Sequence, residues 1–143
     1  MTMDGRRFSR ATIPIRINTP QQVSHGVITA AMKVHAEHGP GLLESTYTAC
    51  LQYEPKQVGC RSVTQVALPV VYRGVELGYR IDLLIENLVV VEIKSVDGIS
   101  PVRQAQVLSY LKLSGKSIGL LINSSVVHLK DGIRRFVNRT RWK

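Results

Sequence analysis

Regular hydrophobic spacing begins shortly after residue 19. Apolar side chains recur there every three or four positions, at Val23, Val27, Ala30, Ala31 and Val34. This spacing predicts a helix with one buried face. Thr19 followed by Pro20, with Gln22 two residues later, is typical of a capped helix start. The helix is predicted to end at residues 38–41, because the two glycines and the proline of His-Gly-Pro-Gly cannot continue it.

The next part of the chain changes from helical to alternating spacing. A second helix is predicted from Leu42 to Tyr53, ending before Pro55 because proline inside a helix costs about 3 kcal/mol. Strands are predicted at residues 63–71, 77–85 and 88–94. Pro69 marks the first strand as an edge strand or a bulge, and Arg73-Gly74 marks a turn.

The last part of the pattern predicts one more helix and one more buried strand. Ser100-Pro101 begins a helix that runs to about Leu113 and is closed by Gly115. Residues 117–122 form a short apolar run that is typical of a buried strand. From Val126 onwards we expect a further strand or a basic helix or tail.

The resulting order, α-α-β-β-β-α-β, predicts a single α/β domain. A chain of 143 residues suits one domain with a core of its own. Neither an internal repeat nor a long linker divides it. We expect a flexible basic leader at residues 1–18, the domain at 19–137 and a basic tail at 138–143.

Composition excludes several classes of protein. No apolar run approaches the roughly 20 residues of a membrane helix, and no apolar stretch follows the basic N-terminus as in a secretory signal. Cys50 and Cys60 do not form the ligand set of a zinc site or an iron–sulfur cluster. They favour reduced thiols. The sequence therefore predicts a cytoplasmic protein with no membrane partner.

The net charge of +9 is concentrated at the two ends. Residues 1–20 hold four arginines against Asp4, and residues 130–143 hold six basic side chains against Asp131. Basic ends on a nearly neutral body favour salt-sensitive binding to a polyanion such as nucleic acid. The alternative is that these charges serve solubility alone.

Three charged residues stand inside otherwise apolar strands. Asp82 lies within the segment 77–85, and Glu92 and Lys94 end the segment 88–94. Burying charges there costs several kcal/mol unless they are paired or hold a metal. Because strand side chains alternate, Glu92 and Lys94 share one face of the sheet.

Asp82 and Glu92 share a face only in one type of hairpin. Residues directly opposite each other in an antiparallel pair lie on the same face. If Asp82 stands opposite Glu92, Ile85 pairs with Val89 and residues 86–88 form a three-residue loop, in which Asn87 tolerates a left-handed conformation. A two-residue turn would put the two carboxylates on opposite faces. A metal site therefore predicts the three-residue loop or a bulge.

Such a pair of carboxylates supplies the hard oxygen ligands that Mg²⁺ or Mn²⁺ prefers. The metal would stabilise charge on a scissile phosphate and acidify a water, which Lys94 could orient or deprotonate. The alternative is a structural ion pair, Glu92–Lys94 or Asp82–Arg80, on an ordinary sheet.

Several motifs occur in one order along the chain. Residues 41–47 spell G-x-x-E-x-x-Y, and they are followed by Arg-Ile-Asp at 80–82, Val-Glu-Ile-Lys at 91–94, Q-x-x-x-Y at 106–110 and Leu-Leu-Ile-Asn at 120–123. With these motifs the chain resembles the GxxExxY family of the PD-(D/E)XK nuclease superfamily over residues 22–137.

The resemblance implies a restriction-endonuclease-like α/β core, a central mixed four-stranded sheet flanked by helices in the order αβββαβ. It implies hydrolysis of phosphodiester bonds with Mg²⁺, or Mn²⁺ as a substitute, and it implies nucleic acid as the substrate. We expect DNA, although the sequence leaves RNA open. Asp82 and Glu92 match the metal-binding acids, Lys94 the catalytic lysine, and Glu44 an acid that assists metal binding.

Further residues are expected to contact nucleic acid. Gln106 and Tyr110 match the Q-x-x-x-Y element; they are four residues apart and share one helical face, which Arg103 joins. Arg80 and Tyr47 complete the set, with core packing as the alternative for Tyr47. His35 is expected to be a core histidine with its hydrogen bonds satisfied. Pro55 departs from the family pattern, in which a helix continues through this region.

Three functions remain open at this point. The first is a metal-dependent nuclease. The second is a catalytically silent nucleic-acid-binding or accessory module on the same fold, and the third is a homo-oligomeric interaction protein. By analogy with other small nucleases that act on two strands, a homodimer is also expected.

Overall fold

A computed structural model describes residues 19–68, 70–76 and 78–138. The expected leader at 1–18 and nearly all of the expected tail lie outside these residues. Helix α1 spans Pro20–His38 and begins as predicted. The Thr19 hydroxyl accepts the N–H of Gln22 at 3.1 Å, and the Gln22 side chain accepts the N–H of Thr19 at 3.3 Å. The sequence thus forms a capping box, and the helix ends before Gly39 as expected.

Helix α2 spans Glu44–Gln57 and continues through Pro55, so the predicted end before this proline was wrong. Proline removes the backbone hydrogen bond to the carbonyl four residues earlier. At Pro55 this loss falls in the last turn of the helix and affects one bond. The Pro55 side chain is buried, and its carbonyl accepts the N–H groups of Val58 and Cys60 at 3.1 and 2.9 Å. Tertiary packing outweighs the local preference here.

The central sheet has five strands rather than the four expected. The strands are β1 Ser62–Leu68, β4 Tyr79–Ile85, β5 Val89–Lys94, β6 Ile118–Asn123 and β7 Ile133–Val137. Their order is β1-β4-β5-β6-β7, with β5 and β6 parallel and all other neighbours antiparallel. The architecture, a mixed sheet flanked by helices, is that of a restriction-endonuclease-like fold.

The fifth strand, β7, lies in the segment for which a strand, helix or tail was expected. A short 3₁₀ turn at Leu129–Gly132 precedes it. Strand β7 forms because all five of its residues pair with Ile118–Ile122 of the buried strand β6. The expected first strand, residues 63–71, ends at Leu68, and its predicted edge position is confirmed. Pro69 lies outside the described residues.

A separate small hairpin follows the first strand. It consists of β2 Val71–Tyr72 and β3 Val75–Glu76. Arg73 and Gly74 form its turn with φ values of 50° and 82°, which confirms the predicted turn. Two central residues with positive φ match the twist of a tight hairpin.

Helices cover both faces of the five-stranded sheet. Helices α1 and α2 pack on the face that carries Leu83, Val91 and Ile93. Helix α3, Pro101–Ser114, packs on the opposite face against Leu84 and Val90. It begins at the Ser100 cap and ends at a left-handed Gly115, as predicted. Among the described residues no helix has the length and apolarity needed to cross a bilayer.

Candidate active site

Strands β4 and β5 pair in the register that was expected if Asp82 and Glu92 share one face of the sheet. Leu83 pairs with Val91 and Ile85 with Val89, so residues 86–88 form a three-residue loop. Asn87 is left-handed with φ 55°, as expected, and Glu86 is also left-handed with φ 52°. The predicted register is confirmed for residues 83–85 and 89–91, and just beyond these pairs Asp82 lies next to Glu92.

The two carboxylates lie between strands β4 and β5, just beyond the last regular pair. The N–H of Asp82 donates to Oε2 of Glu92 at 2.8 Å. The N–H of Ile93 donates to Oδ2 of Asp82 at 3.1 Å. Regular strand pairing extends only to Leu83 and Val91, and beyond it these side chains link the two backbones. Both acids therefore have fixed positions where the two strands separate.

Burial and a neighbouring acid disfavour the charged form of the Glu92 carboxyl. Its residue is 2% exposed, and burial raises the pKa of its carboxyl to about 8, with a further increase from the negative charge of Asp82. Lys94 acts in the opposite direction, with Nζ 4.0 Å from Oε1 of Glu92. One cation at this distance does not offset burial, so a second positive charge would be stabilised here.

Glu44 reaches the same strand end from helix α2. Its Oε2 accepts the N–H of Ser95, the residue after Lys94, at 2.7 Å. Among the described residues no three His, Cys, Asp or Glu side chains are grouped so that they could hold a metal. The structure thus does not bring Glu44 into a ligand group with Asp82 and Glu92, contrary to expectation. Its carboxylate connects α2 to the end of β5 instead.

The expected aromatic residue of helix α3 lies beside the acids. Tyr110 is 5% exposed, and burial, followed by the charges of Glu92 and Asp82, raises its pKa. Gln106 donates from Nε2 to the Tyr110 hydroxyl oxygen at 3.1 Å. The phenol therefore keeps its proton and has it available for donation. The ring of Tyr79 packs at 5.9 Å from that of Tyr110.

A comparison of the sequence with protein-family models gives the family of the chain. The model of the PD-(D/E)XK nuclease superfamily matches residues 21–136. The chain belongs to the PD-(D/E)XK nuclease superfamily. No curated protein and no solved structure is significantly similar to it.

The two arginines expected near the PD-(D/E)XK centre have different surroundings. Arg103 is half-buried in the first turn of α3, where its N–H donates to the Ser100 cap. Arg80 is exposed and directs Nη1 to the carbonyl of Gln65 at 3.3 Å. Arg80 is thus oriented towards strand β1, which does not support the alternative of a structural Asp82–Arg80 ion pair.

Two helix residues prove to be structural. Tyr47 is fully buried, and its hydroxyl donates to the carbonyl of Ala31 at 3.2 Å. The expectation that Tyr47 contacts nucleic acid was therefore wrong, because its ring joins α2 to α1 inside the core. His35 is buried as expected, with Nε2 3.1 Å from the carbonyl of Val127. Its Nδ1 has no partner among the described residues, so its hydrogen bonding is only half satisfied.

The sequence analysis overlooked Asn123 as a positioning residue. This buried amide accepts the N–H groups of Val96 and Ser125 and donates to the Val96 carbonyl at 2.9 Å. It thereby holds the loop that follows Lys94 against the end of β6. A polar residue directly after the apolar run of Ile118–Ile122 was the available signal, since a buried amide needs partners.

A cavity elsewhere in the molecule lacks a pair of carboxylates that could hold a metal. A cavity of about 440 Å³ lies between α1, the end of α2 and Ile85, and its lining is mainly apolar. The carboxylate in its lining, that of Glu54, is paired with Lys33 at 3.1 Å. This cavity offers no free pair of acidic ligands. Asp82, Glu92 and Lys94 instead lie together on β4 and β5.

Proposed function

We propose that this protein is a metal-dependent nuclease that hydrolyses phosphodiester bonds in nucleic acid, with DNA as the first substrate to test. The observation that carries the proposal is the position of Asp82 next to Glu92 on neighbouring strands, with Lys94 Nζ 4.0 Å from Glu92. Membership of the PD-(D/E)XK nuclease superfamily supports the reaction class.

The donor set fits Mg²⁺, with Mn²⁺ as a substitute. Mg²⁺ is commonly held by one or two carboxylates, with water and phosphate oxygens completing the octahedron. Asp82 and Glu92 would be the protein ligands. The raised pKa of Glu92 supports this assignment, because a bound cation offsets the cost of burying its charge.

In the bound state Mg²⁺ would supply positive charge that stabilises the charge developing on the phosphate. The chain's own residues do the rest. Lys94 donates to the attacking water and to a non-bridging phosphate oxygen, which orients the water and screens negative charge. The Tyr110 hydroxyl, which stays protonated, donates a hydrogen bond to a second phosphate oxygen. Water adds to phosphorus as one phosphorus–oxygen ester bond breaks, and one proton of the water ends on the departing ester oxygen, which leaves as an alcohol.

We also propose that the chain belongs to the GxxExxY branch of the superfamily. Residues 41–47 support this, because each named position has a separate structural task. Gly41 ends the 3₁₀ turn before α2, Glu44 holds the N–H of Ser95, and Tyr47 joins α2 to α1. In this proposal the motif residues do not contact the substrate; they hold helix α2 and the end of β5 in position around the active centre. The basic ends add salt-sensitive affinity for the phosphate backbone.

The decisive experiment measures cleavage by the full chain. Labelled single-stranded and duplex DNA and RNA are incubated with Mg²⁺, with Mn²⁺ and with EDTA. We expect metal-dependent cleavage that falls at least about 100-fold in Asp82→Ala and Lys94→Ala, because each removes a group that stabilises the transition state. Asp131→Asn, an exposed acid outside the site, serves as the control and should retain activity.

Thermal unfolding shows whether each variant is folded. If folded wild type cleaves none of these substrates with either metal, the nuclease proposal is overturned. Salt-sensitive binding without turnover, unchanged in Asp82→Ala, would instead identify an accessory binding module. A homodimer and a cytoplasmic location stay predictions, to be tested by sedimentation and by microscopy.

A further inference from the structure

The small β2–β3 hairpin exposes three large apolar side chains to solvent. Val71, Tyr72 and Val75 are 63%, 60% and 60% exposed. Arg73 and Gly74 form a tight turn with positive φ at both residues, so the tip has a defined shape. Three exposed apolar side chains on one short hairpin make it a candidate binding surface.

The hairpin emerges at the end of the sheet that carries the acidic centre. It is inserted between Leu68 and Tyr79, which pair with each other at the ends of β1 and β4. Asp82 follows Tyr79 by three residues on β4, or about 10 Å along the strand. The Tyr79 ring also packs at 5.9 Å from the ring of Tyr110. Tyr79 and Tyr110 therefore connect the base of the hairpin to the acids.

The tip of the hairpin combines an aromatic ring with a cation. The Arg73 guanidinium lies 5.3 Å from the centroid of the Tyr72 ring, and its Nε donates to the Tyr72 hydroxyl at 3.0 Å. Arg73 thus restrains an otherwise exposed ring. Such a ring can stack on a nucleobase while the guanidinium attracts the adjacent phosphate. A base inside a duplex is already stacked on both sides, so an unpaired base is the matching partner.

We propose that the hairpin binds unpaired bases next to the scissile phosphate, so that the substrate is single-stranded nucleic acid or a duplex with a single-stranded end. Tyr72 provides the stacking surface and Arg73 the charge. The inference deepens the proposed nuclease function and rests on it for the location of the scissile phosphate. Arg80, exposed on β4 one residue beyond Tyr79, adds a positive charge near the base of the hairpin, with Nη1 directed to the carbonyl of Gln65 on β1.

The test measures binding in EDTA, where turnover cannot interfere. Fluorescence anisotropy compares a labelled oligothymidylate with a blunt duplex for the wild type and three variants of the full chain. Tyr72→Ala should weaken single-strand binding about 5- to 100-fold, the range for loss of one stacked base. Tyr72→Phe keeps the stacking ring but loses the hydrogen bond from Arg73, so it should weaken binding much less than Tyr72→Ala. Tyr53→Ala is the matched control, because Tyr53 is 59% exposed on α2 and its loss should change binding by about twofold or less.

Each other result overturns the inference. Equal effects of Tyr72→Ala and Tyr53→Ala would exclude stacking at the hairpin. Equal losses on single strand and duplex would mean that the hairpin does not distinguish unpaired bases. Concentration-dependent association abolished by Tyr72→Ala, with unchanged DNA binding, would show that a second copy of the chain covers the patch.

The nuclease proposal and this inference fail separately. If wild type binds single strands through Tyr72 but cleaves nothing with Mg²⁺ or Mn²⁺, the reaction is wrong and the binding surface stands. If wild type cleaves and Tyr72→Ala binds normally, the reaction stands and the hairpin inference is wrong.

Discussion

The carboxylate of Glu44, at the start of helix α2, accepts the N–H of Ser95, the first residue after strand β5, at 2.7 Å. The two residues are 51 positions apart in the chain. This hydrogen bond holds the strand end that carries Lys94. Glu44 thus affects the proposed active centre through the backbone.

If Glu44 anchors the strand end, the variants Glu44→Gln and Glu44→Ala should differ in cleavage activity. If Glu44 binds the metal, both variants should lose activity. Glu44→Gln keeps an oxygen that can accept the N–H of Ser95, so we expect cleavage within about threefold of wild type. Glu44→Ala removes the acceptor, and we expect about tenfold lower kcat, equivalent to about 1.4 kcal/mol in the barrier. Steady-state kinetics measures both. Equal, severe losses in the two variants would instead indicate that Glu44 binds the metal.

Replacement of Glu92 should change how the stability of the metal-free protein depends on pH. Folding raises the pKa of this carboxyl to about 8, so between about pH 4.5 and 8 the folded state holds a proton that the unfolded state has lost. Stability therefore falls as pH rises through this window, by about 1.4 kcal/mol for each unit of pKa difference, and the loss persists above it.

Glu92→Gln removes this titration. Urea unfolding in EDTA from pH 5 to 9 should show that the variant gains stability relative to wild type as pH rises. In a separate cleavage assay with Mg²⁺, the variant should be inactive. Subtracting the two curves cancels the histidines. A flat difference would contradict the proposed burial of an uncompensated carboxyl.

Divalent metal should stabilise the protein, and more strongly at higher pH. The metal competes with the proton on Glu92, whose pKa is raised to about 8, so affinity should increase from pH 6 to 8.5. At 100 times the dissociation constant, binding adds about 2.7 kcal/mol, which corresponds to a shift of several degrees in Tm. Thermal unfolding with MgCl₂ or MnCl₂ checks this. The shift should vanish in Asp82→Ala and persist in Asp131→Asn; an equal shift in both variants would point to binding elsewhere.

Tyr47 should affect stability and leave catalysis unchanged. Tyr47→Phe removes the hydrogen bond to Ala31 but keeps the buried ring, and we expect a loss of about 1 kcal/mol. Tyr47→Ala also opens a cavity and should cost about 3–5 kcal/mol. Urea unfolding measures both losses. If Tyr47→Phe lowers nucleic-acid binding or kcat more than about threefold, the assignment of Tyr47 to the core alone is wrong.

Local sequence determined the features that depend on neighbours in the chain. The ends of α1 follow from Thr19, Gln22 and Gly39, because capping is satisfied within a few residues. The strand pattern alone allowed two registers for the β4–β5 hairpin, and the pairing of Ile85 with Val89 was expected only if the two acids share a metal. The acidic pair could therefore be predicted from the strand pattern together with the expected metal site.

Only the tertiary structure decided the features that depend on distant partners. Helix α2 continues through Pro55 because burial of the ring outweighs one lost hydrogen bond. Residues 133–137 form a strand because β6 presents its edge to them. Tyr47 is buried against Ala31, and Glu44 binds Ser95, through contacts that no local spacing contains. The sequence indicated which acids could meet, and the three-dimensional structure decided that they do and which residues hold them in place.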